Sequence, residues 1–401
     1  MDIHIFFVTL HALRTDMYNQ IRGDTLFTIL YSAVTTMALL ASCYLMLRRA
    51  NAIAPHITTP QRLRWWTGVF FASIAVNHLW YMPIFFLSSS DDILTTDLVG
   101  ALLDSLTIIP LAIVVLLAML QDRRRPLWPV AVMVMPIAVG NAWSVATRSY
   151  ALLPILYVYF LLIGIGLSIY MVHALKQYGR WLRDNFADLE HKEVWQSFVV
   201  LAAMLLTFGT YALTNEGSAY LYALLAFSVV LIGYLLWRVE TLSDLSIQIQ
   251  SDTAIAVDDA AEEALTMENV EVNNLPTSNR PTSPLGLSKN IGPLLKQHCE
   301  EAQLYLQYDI SLPQLATLIG INRSYLSKHF ASQGITYNGY INDLRIQHFV
   351  NLYHEAAASH QSVTAQQLAY QSGFRSYNTF SIAFKKKMGM NATEWMRLTE
   401  S

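Results

Sequence analysis

The sequence predicts an all-α protein in which a bundle of seven transmembrane helices precedes a flexible linker and a soluble helical domain with two helix-turn-helix units. Three observations lead to this prediction. Hydrophobic residues make up 54% of the 401 residues and charged residues only 14%, against about 25% charged in soluble domains. The long apolar runs are confined to residues 25–238. Residues 290–399 have ordinary polarity and frequent helix-capping signals.

The shortage of charge excludes a purely soluble enzyme, because a soluble protein needs charged side chains on the surface that faces water. Two cysteines, Cys43 and Cys299, are too few for the disulfide framework of a small secreted protein. The net charge of −3 indicates no particular partner.

Seven stretches have roughly the 20 apolar residues that a helix needs to cross a bilayer. Each is expected to be helical, because a backbone exposed to lipid must satisfy its own hydrogen bonds. The predicted spans are residues 25–47, 65–87, 98–120, 127–147, 150–172, 194–213 and 218–238. Residues 1–24 are expected to form an extracytoplasmic leader. Within it, residues 3–13 are too short to cross and have the apolar spacing of an interfacial helix.

The distribution of Lys and Arg predicts the orientation of these spans. The loops after the first, third, fifth and seventh spans carry twelve of these residues, and the segments on the other side carry three. Cytoplasmic loops are the ones enriched in Lys and Arg. The amino terminus is therefore expected outside and the carboxyl terminus in the cytoplasm.

Polar residues inside the predicted spans are candidates for a sensor site, because such groups are costly in lipid. Asn77 and His78 lie in the second span, Asp104 lies in the third and Asn141 lies in the fourth. The helical rise per residue places His78, Asp104 and Asn141 roughly 9–14 Å below the outer surface, where they could meet. One interpretation is a ligand or proton site that opens outward. The other, which we favour, is an interhelical hydrogen-bond cluster that holds the bundle together.

Residues 239–289 are predicted to form a flexible linker. They contain many acidic residues followed by a Pro/Ser/Asn-rich stretch, and such a composition cannot bury enough apolar surface to fold alone. An apolar stripe at the start of this segment suggests that its first residues continue the seventh helix.

The last third of the chain contains two similar pairs of short helices. Ser311 with Gln314 forms a capping box, and Asn322 caps the helix that follows the turn at Gly320. The same order recurs around residues 364–384, with a capping box, a glycine turn and a capped second helix. A helix over residues 337–354 is predicted to join the pairs and to hold their second helices about one turn of duplex DNA apart.

These residues resemble the AraC/XylS-type DNA-binding domain. The resemblance covers residues 290–399, and its most specific stretch is LAYQSGFRSYNTFSIAFKKKMGMNATEW. It implies buried positions at Leu315, Ala316, Leu326, Phe330, Leu368, Ala369, Gly373, Phe374, Phe380 and Phe384. The sequence departs from the family at His348, where a small residue is usual, and at Ala392, where proline is usual. Both departures affect packing and lie outside the second helices.

Side-chain chemistry assigns the expected roles on DNA. Polar side chains on the second helix of each pair would read base edges, and basic residues would contact phosphates. The first reading head is predicted to comprise Arg323, Ser324, Ser327 and Lys328. The second is predicted to comprise Tyr377, Asn378, Thr379 and Ser381. The predicted backbone clamps are Arg375, Lys385, Lys386 and Lys387, although a basic run is by itself typical of a solvated helix end.

The leading hypothesis is a transcription regulator anchored in the bacterial cytoplasmic (inner) membrane, in which the bundle senses a signal and the cytoplasmic domain binds double-stranded promoter DNA. Residues 291–401 hold nine Lys and Arg against seven Asp and Glu. This weak excess predicts modest affinity for one copy and a homodimer on a full site. RNA polymerase is a candidate partner. No catalytic activity, metal or cofactor is expected.

Two alternatives stay open. The bundle could be a transporter or intramembrane enzyme with an accessory regulatory domain, or it could serve only as an anchor. The spans contain no HExxH motif and the last contains no lysine, which disfavours a zinc protease and a retinal Schiff base.

Overall fold

The computed structural model of the chain describes residues 18, 20–48, 50–55, 57–87, 89–214, 217–245 and 291–400. Within these ranges the secondary structure is helical and includes no β-strand, as the sequence predicts. The predicted interfacial helix at residues 3–13, and residues 246–290 of the predicted linker, lie outside the described residues.

Contacts divide the chain into two units. The first comprises the described residues of 1–178 and 194–245, and the second comprises residues 179–193 together with those of 246–401. The second unit therefore contains more than the predicted soluble domain, because it includes the end of one helix of the apolar region and the loop after it.

The described residues of the apolar region form eight α-helices. They are α1 (Thr25–Leu47), α2 (Gln61–Tyr81), α3 (Ser90–Leu106), α4 (Ile108–Met119), α5 (Trp128–Thr147), α6 (Leu153–Asn185), α7 (Trp195–Thr214) and α8 (Ser218–Thr241). A short 3₁₀ turn, Met82–Phe85, extends α2. At the start of α1, the Asp24 carboxylate accepts a hydrogen bond from the Phe27 amide at 3.1 Å, which fixes the first turn of this helix.

Six helical segments among the described residues are long and apolar enough to cross a membrane. They coincide with the first five predicted spans and the last, with α3 and α4 together forming the third. The sixth predicted span corresponds to α7, whose described apolar part is the shorter stretch Trp195–Thr207. The count of seven spans stays a prediction.

The third and fifth segments differ most from the predicted bounds, and the third begins at Ser90 where the prediction has residue 98. The third is interrupted at Thr107, whose backbone leaves the helical region with φ −123° and ψ −64°. Three residues later comes Pro110, which has no amide hydrogen to continue the ladder of α3. The fifth is much longer than residues 150–172, because α6 continues as a single helix of 33 residues to Asn185.

Hydrogen bonds anchor the end of α8 within the first unit. The Glu240 carboxylate is fully buried and accepts hydrogen bonds from the Ile53 amide at 2.7 Å and from the Tyr44 hydroxyl. Beyond the helix, the Asp244 amide donates to the Thr58 carbonyl at 2.8 Å. Residues 239–245 of the predicted linker are thus the end of α8 and an anchored extended segment, in line with the expectation that the linker's first residues continue this helix.

The described residues of the second unit form seven further α-helices. They are α9 (Ile291–Leu295), α10 (Leu312–Leu318), α11 (Arg323–Ser332), α12 (Tyr337–Ala358), α13 (Ala365–Gln371), α14 (Tyr377–Met388) and α15 (Ala392–Glu400). The helix that joins the two pairs is α12, which extends four residues beyond the predicted end at 354. It contributes to two hydrophobic cores, because Ile341 packs with α10 and α11, and Phe349 packs with α13 and α14.

Candidate nucleic-acid interface

The first helix pair, α10 and α11, has the caps that the sequence predicts. Ser311 and Gln314 exchange hydrogen bonds in a complete capping box at the start of α10. Gly320 takes φ +71° in the turn, a conformation that glycine adopts without steric cost. The Asn322 side chain then accepts from the Ser324 amide at 2.7 Å and starts α11. These local interactions set where the predicted reading helix begins.

The second helix pair, α13 and α14, repeats this arrangement. Thr364 and Gln367 form the predicted capping box, and Ser376 caps α14 by accepting from the Thr379 amide at 3.3 Å. Gly373 has φ +89° at the turn, and a Cβ placed there would lie 2.7 Å from the Leu306 Cα atom. Glycine is therefore required at this turn by both its conformation and the close backbone.

The positions that the family resemblance predicts to be buried are buried. Leu326 and Phe330 anchor α11 in the first core, and Phe380 and Phe384 anchor α14 in the second. The other predicted inward positions are also buried, namely Leu315, Ala316, Leu368, Ala369, Gly373 and Phe374. The opposite faces of α11 and α14 are left to the predicted reading residues.

The first predicted reading head lies on α11 and is only partly available to solvent. Ser324 and Lys328 are exposed, and Ser327 is half-buried. Arg323, the first residue of the helix, is also half-buried, and its Nη2 donates to the Asn185 Oδ1 at 2.7 Å. The last residue of α6 thus contacts the side chain that we expect to read DNA.

The second predicted reading head lies at the start of α14. Asn378 is exposed, and Ser381 is half-buried. Tyr377 packs on Phe380 with ring centroids 5.7 Å apart. The Thr379 hydroxyl lies 3.0 Å from the Ser376 hydroxyl, so it is already hydrogen-bonded to the residue that caps the helix. Asn378 and Ser381 are therefore the better placed of the four to meet a base.

The predicted clamp residues are exposed except for Arg375. Lys385, Lys386 and Lys387 occupy the last turn of α14, and Lys387 pairs with Asp343 at 2.6 Å. Arg375 is half-buried and pairs with Asp309 at 3.3 Å. Asp309 also pairs with Lys192 at the same distance. Since these pairs are partly solvated, phosphates can compete for the cations at little cost.

Sequence reasoning missed Arg345, which connects the two halves of the domain. It is 1% exposed on α12, donates from Nε to the Tyr305 carbonyl at 2.7 Å, and lies 5.6 Å from the Phe374 ring centroid. Burial lowers the pKa of this guanidinium to about 10. An arginine between apolar positions of one helix was the available signal, but its carbonyl partners are not readable from sequence.

The two departures from the family are accommodated by packing. The His348 ring packs edge-on against Tyr305, and its Nδ1 lies 3.4 Å from the Tyr305 hydroxyl. Partial burial lowers the pKa of His348. Ala392 is 2% exposed within the second core.

The predicted sensor residues each bond to a neighbouring helix of the first unit. Asp104 accepts from Asn77 at 2.8 Å and from Tyr81 at 3.1 Å, so it joins α3 to α2. The His78 Nδ1 lies 3.3 Å from the Thr35 hydroxyl, and Asn141 donates to the Ala101 carbonyl at 3.2 Å. The three residues therefore take part in separate pairings, each between two helices.

A second buried carboxylate in this unit was not singled out from sequence. Asp97, near the start of α3, is 3% exposed and accepts hydrogen bonds from the Tyr18 hydroxyl at 2.7 Å and the Tyr150 hydroxyl at 2.8 Å. Asp97 lies one residue before the predicted third span, residues 98–120, so a search for polar residues inside the spans did not include it.

Comparison with known proteins supports the interpretation of the second unit. Residues 315–398 match the family model described as a helix-turn-helix domain. This part of the chain is a helix-turn-helix domain. Two similar proteins are uncharacterized HTH-type transcriptional regulators of Staphylococcus aureus, 32% identical in strain MRSA252 and 30% identical in strain COL.

The match to these relatives covers only part of each chain. It covers 92 residues, which are 23% of this chain and 12% of each relative. The chain therefore spans about one eighth of the length of the relatives that it matches. No solved structure matches the chain.

Proposed function

We propose that the chain is a membrane-anchored transcription regulator that binds promoter DNA in a sequence-specific manner. The observation that carries this proposal is the pair of capped helix pairs in the helix-turn-helix domain, whose outer faces present polar and basic side chains. In such motifs the second helix enters the major groove with its amino-terminal residues at the base edges. Arg323, Ser324, Asn378 and Ser381 occupy these positions.

The charge of the domain indicates how strongly one copy would bind. Its small excess of Lys and Arg over Asp and Glu would neutralise few phosphates, and phosphate contacts supply most of the non-specific affinity. A homodimer that presents four reading heads would compensate for this weakness. RNA polymerase is a candidate partner of the bound regulator.

The membrane location rests on the six helical segments of sufficient length and apolarity and on the bias of Lys and Arg toward one set of loops. This bias favours a cytoplasmic location of the helix-turn-helix domain, where it can reach the chromosome. It also favours an extracytoplasmic amino terminus.

We assign a sensing role to the bundle because polar pairings connect its helices. A shift of α2 relative to α3 would break the hydrogen bonds that Asn77 and Tyr81 donate to Asp104. A stimulus that moves one of these helices would therefore replace this set of hydrogen bonds by another. If alanine at His78, Asp104 and Asn141 left the transcription of target genes unchanged under every inducing condition, the bundle would instead be an anchor.

The test of the proposed function uses the intact chain in lipid nanodiscs, since residues 179–193 belong to the same unit as the helix-turn-helix domain. Binding is measured to DNA fragments upstream of the protein's own gene and to scrambled fragments of equal composition. We expect a preference for one upstream fragment and an affinity that falls as salt rises. Equal binding to all fragments at every salt concentration would refute the proposal.

Two variants separate base reading from phosphate contact in this assay. Asn378→Ala is expected to reduce the binding free energy for the preferred fragment by about 1–3 kcal/mol and to reduce discrimination between this fragment and the others. Lys386→Ala is expected to weaken binding to all fragments about equally. It is also expected to reduce the slope of log affinity against log salt concentration by about 1. The reverse pattern would mean that the reading positions are wrongly assigned.

A further inference from the structure

The loop after α6 packs onto the first half of the helix-turn-helix domain. The Ala187 amide donates to the Ile310 carbonyl at 3.3 Å, and Phe186 forms an isolated antiparallel bridge with Ser311. The side chain of Asn338, on α12, donates to the Ala187 carbonyl at 2.6 Å. A stretch of loop backbone is thus held between the start of α10 and the start of α12.

Side chains of the same loop are buried in this contact. Ala187 is fully buried and belongs to the first core, and Phe186 is 3% exposed. Lys192 lies 5.4 Å from the Phe186 ring centroid and pairs with Asp309 at 3.3 Å. The contact therefore combines backbone hydrogen bonds, apolar burial and an ion pair.

The contact reaches the first reading head. Asn185, the last residue of α6, is 5% exposed, and its Oδ1 accepts the hydrogen bond from Arg323 at 2.7 Å. Arg323 opens α11, where the residues of a reading helix meet base edges. The hydrogen bond to Asn185 holds the half-buried Arg323 side chain against the end of α6, so a base or phosphate that needs this guanidinium in another position competes with Asn185 for it.

The docked loop also contains unfavourable features. The Oδ2 atom of Asp188 and the Oε2 atom of Glu190 are buried and have no hydrogen-bond partner, and Asp188 is 2% exposed. Burial of an unpaired carboxylate oxygen costs free energy. These costs offset part of the contact, so that the docked state is one that DNA can displace.

We propose that residues 185–193 are an intramolecular docking segment that holds Arg323 of the first reading head and competes with promoter DNA for this side chain. This inference rests on the proposed function for its second half, the competition. The docking of the loop is independent of DNA. Because Asn185 ends the helix that also forms the fifth predicted span, a movement of α6 in the membrane would change the availability of this head.

The first experiment measures docking without DNA. Hydrogen–deuterium exchange of residues 185–188 is followed in the intact chain in nanodiscs, for the wild type and for Asn338→Ala. The Ala187 amide should exchange slowly in the wild type and faster in the variant, which loses the bonds to the loop carbonyls. Rapid exchange in the wild type would overturn the docking.

The second experiment measures competition. The preferred upstream fragment should accelerate exchange at residues 185–188. Asn185→Ala should bind that fragment roughly three- to tenfold more tightly than the wild type, the range expected for loss of one competing hydrogen bond. Gln177→Ala is the matched control, since it removes a neutral amide side chain two turns earlier on α6 and should leave the affinity unchanged.

The outcomes separate this inference from the proposed function. Slow exchange that DNA does not change, with equal affinities of Asn185→Ala and the wild type, would refute competition while DNA binding stands. Failure of the wild type and both variants to prefer any fragment would refute the proposed function and the competition with it. The first experiment would still decide the docking.

Discussion

The turn of the second helix pair has a position that only glycine can occupy without strain. Gly373 has φ +89°, and its Cα faces the backbone of residues 305 and 306, with the nearest atom 2.7 Å from an added Cβ. Gly373→Ala would combine a left-handed alanine with a clash against backbone. We expect the variant to lower the free energy of unfolding of the domain by about 2–4 kcal/mol.

The comparison that isolates the clash is Gly334→Ala. Gly334 has φ +68°, but an added Cβ would meet no atom within 4 Å, so this variant should lose only about 1 kcal/mol of stability. Both values can be measured from the urea dependence of proteolysis of the domain in the intact chain. If the two variants lost equal unfolding free energy, the backbone of residues 305 and 306 must move to accommodate the added Cβ.

Asp188 gives the docked loop a dependence on pH. Burial raises the pKa of this carboxyl group, and the nearby Lys192 partly opposes the shift. A raised pKa means that the docked loop binds a proton more readily than the released loop, so docking should strengthen as pH falls and weaken as pH rises through the raised pKa. The other charged groups around it belong to Glu190, Asp309 and Arg345.

The measurement is the protection of the Ala187 amide as a function of pH, corrected for intrinsic exchange. We expect protection to decrease with rising pH in the wild type. Asp188→Asn, which cannot ionise, should keep high protection across the same range. If the variant retained the pH dependence of the wild type, another group would be responsible for it.

At the residue scale, the sequence predicted interactions between neighbouring residues of the chain and missed pairings between residues far apart in it. The apolar positions of α11 and α14 and the caps at Ser311 and Thr364 follow from spacing within one or two turns, and the structure confirms them. The partner of Arg323 lies 138 residues earlier in the chain. No periodicity connects such positions, so a pairing of this kind could not be predicted.

At the scale of elements, hydropathy located the apolar helices but not all their ends. A hydropathy window detects the part of a helix that suits lipid, and it predicted only residues 150–172 for α6. The helix continues through HALKQYGRWLRDN to Asn185. This continuation has mixed polarity with few helix breakers, so it stays helical without being apolar. The part that was missed is the part that carries the docking segment.

The interruption at Thr107 has a different cause. Hydropathy continues unbroken from α3 into α4, because both sides of Thr107 are apolar. The break lies in the backbone, and its sequence signal is Pro110, which has no amide hydrogen to continue the helix. Composition thus predicts where a span lies, whereas local backbone chemistry decides whether it is one helix or two.

At the scale of the whole molecule, the docked loop constrains how many times the chain crosses the membrane. Residues 186–188 contact residues 310–338 directly, so both segments must lie on the same side. The segment between them contains α7 and α8, which must therefore both cross or both remain on that side. Since α8 is long and apolar enough to cross, the contact favours a crossing of the proposed membrane by α7 as well, so we expect seven spans.

Reporter fusions can test this argument. A reporter placed after residue 216, between α7 and α8, is expected on the extracytoplasmic face, and one placed after Ser401 is expected in the cytoplasm. A fusion after Ser149, in the loop that follows α5, serves as a control and should also be extracytoplasmic. If α7 did not cross, the reporter after residue 216 would lie in the cytoplasm and the one after Ser401 outside. That result would separate the helix-turn-helix domain from the chromosome, and it would also be incompatible with the loop contact, because residues 187 and 310 would then be on opposite sides of the bilayer.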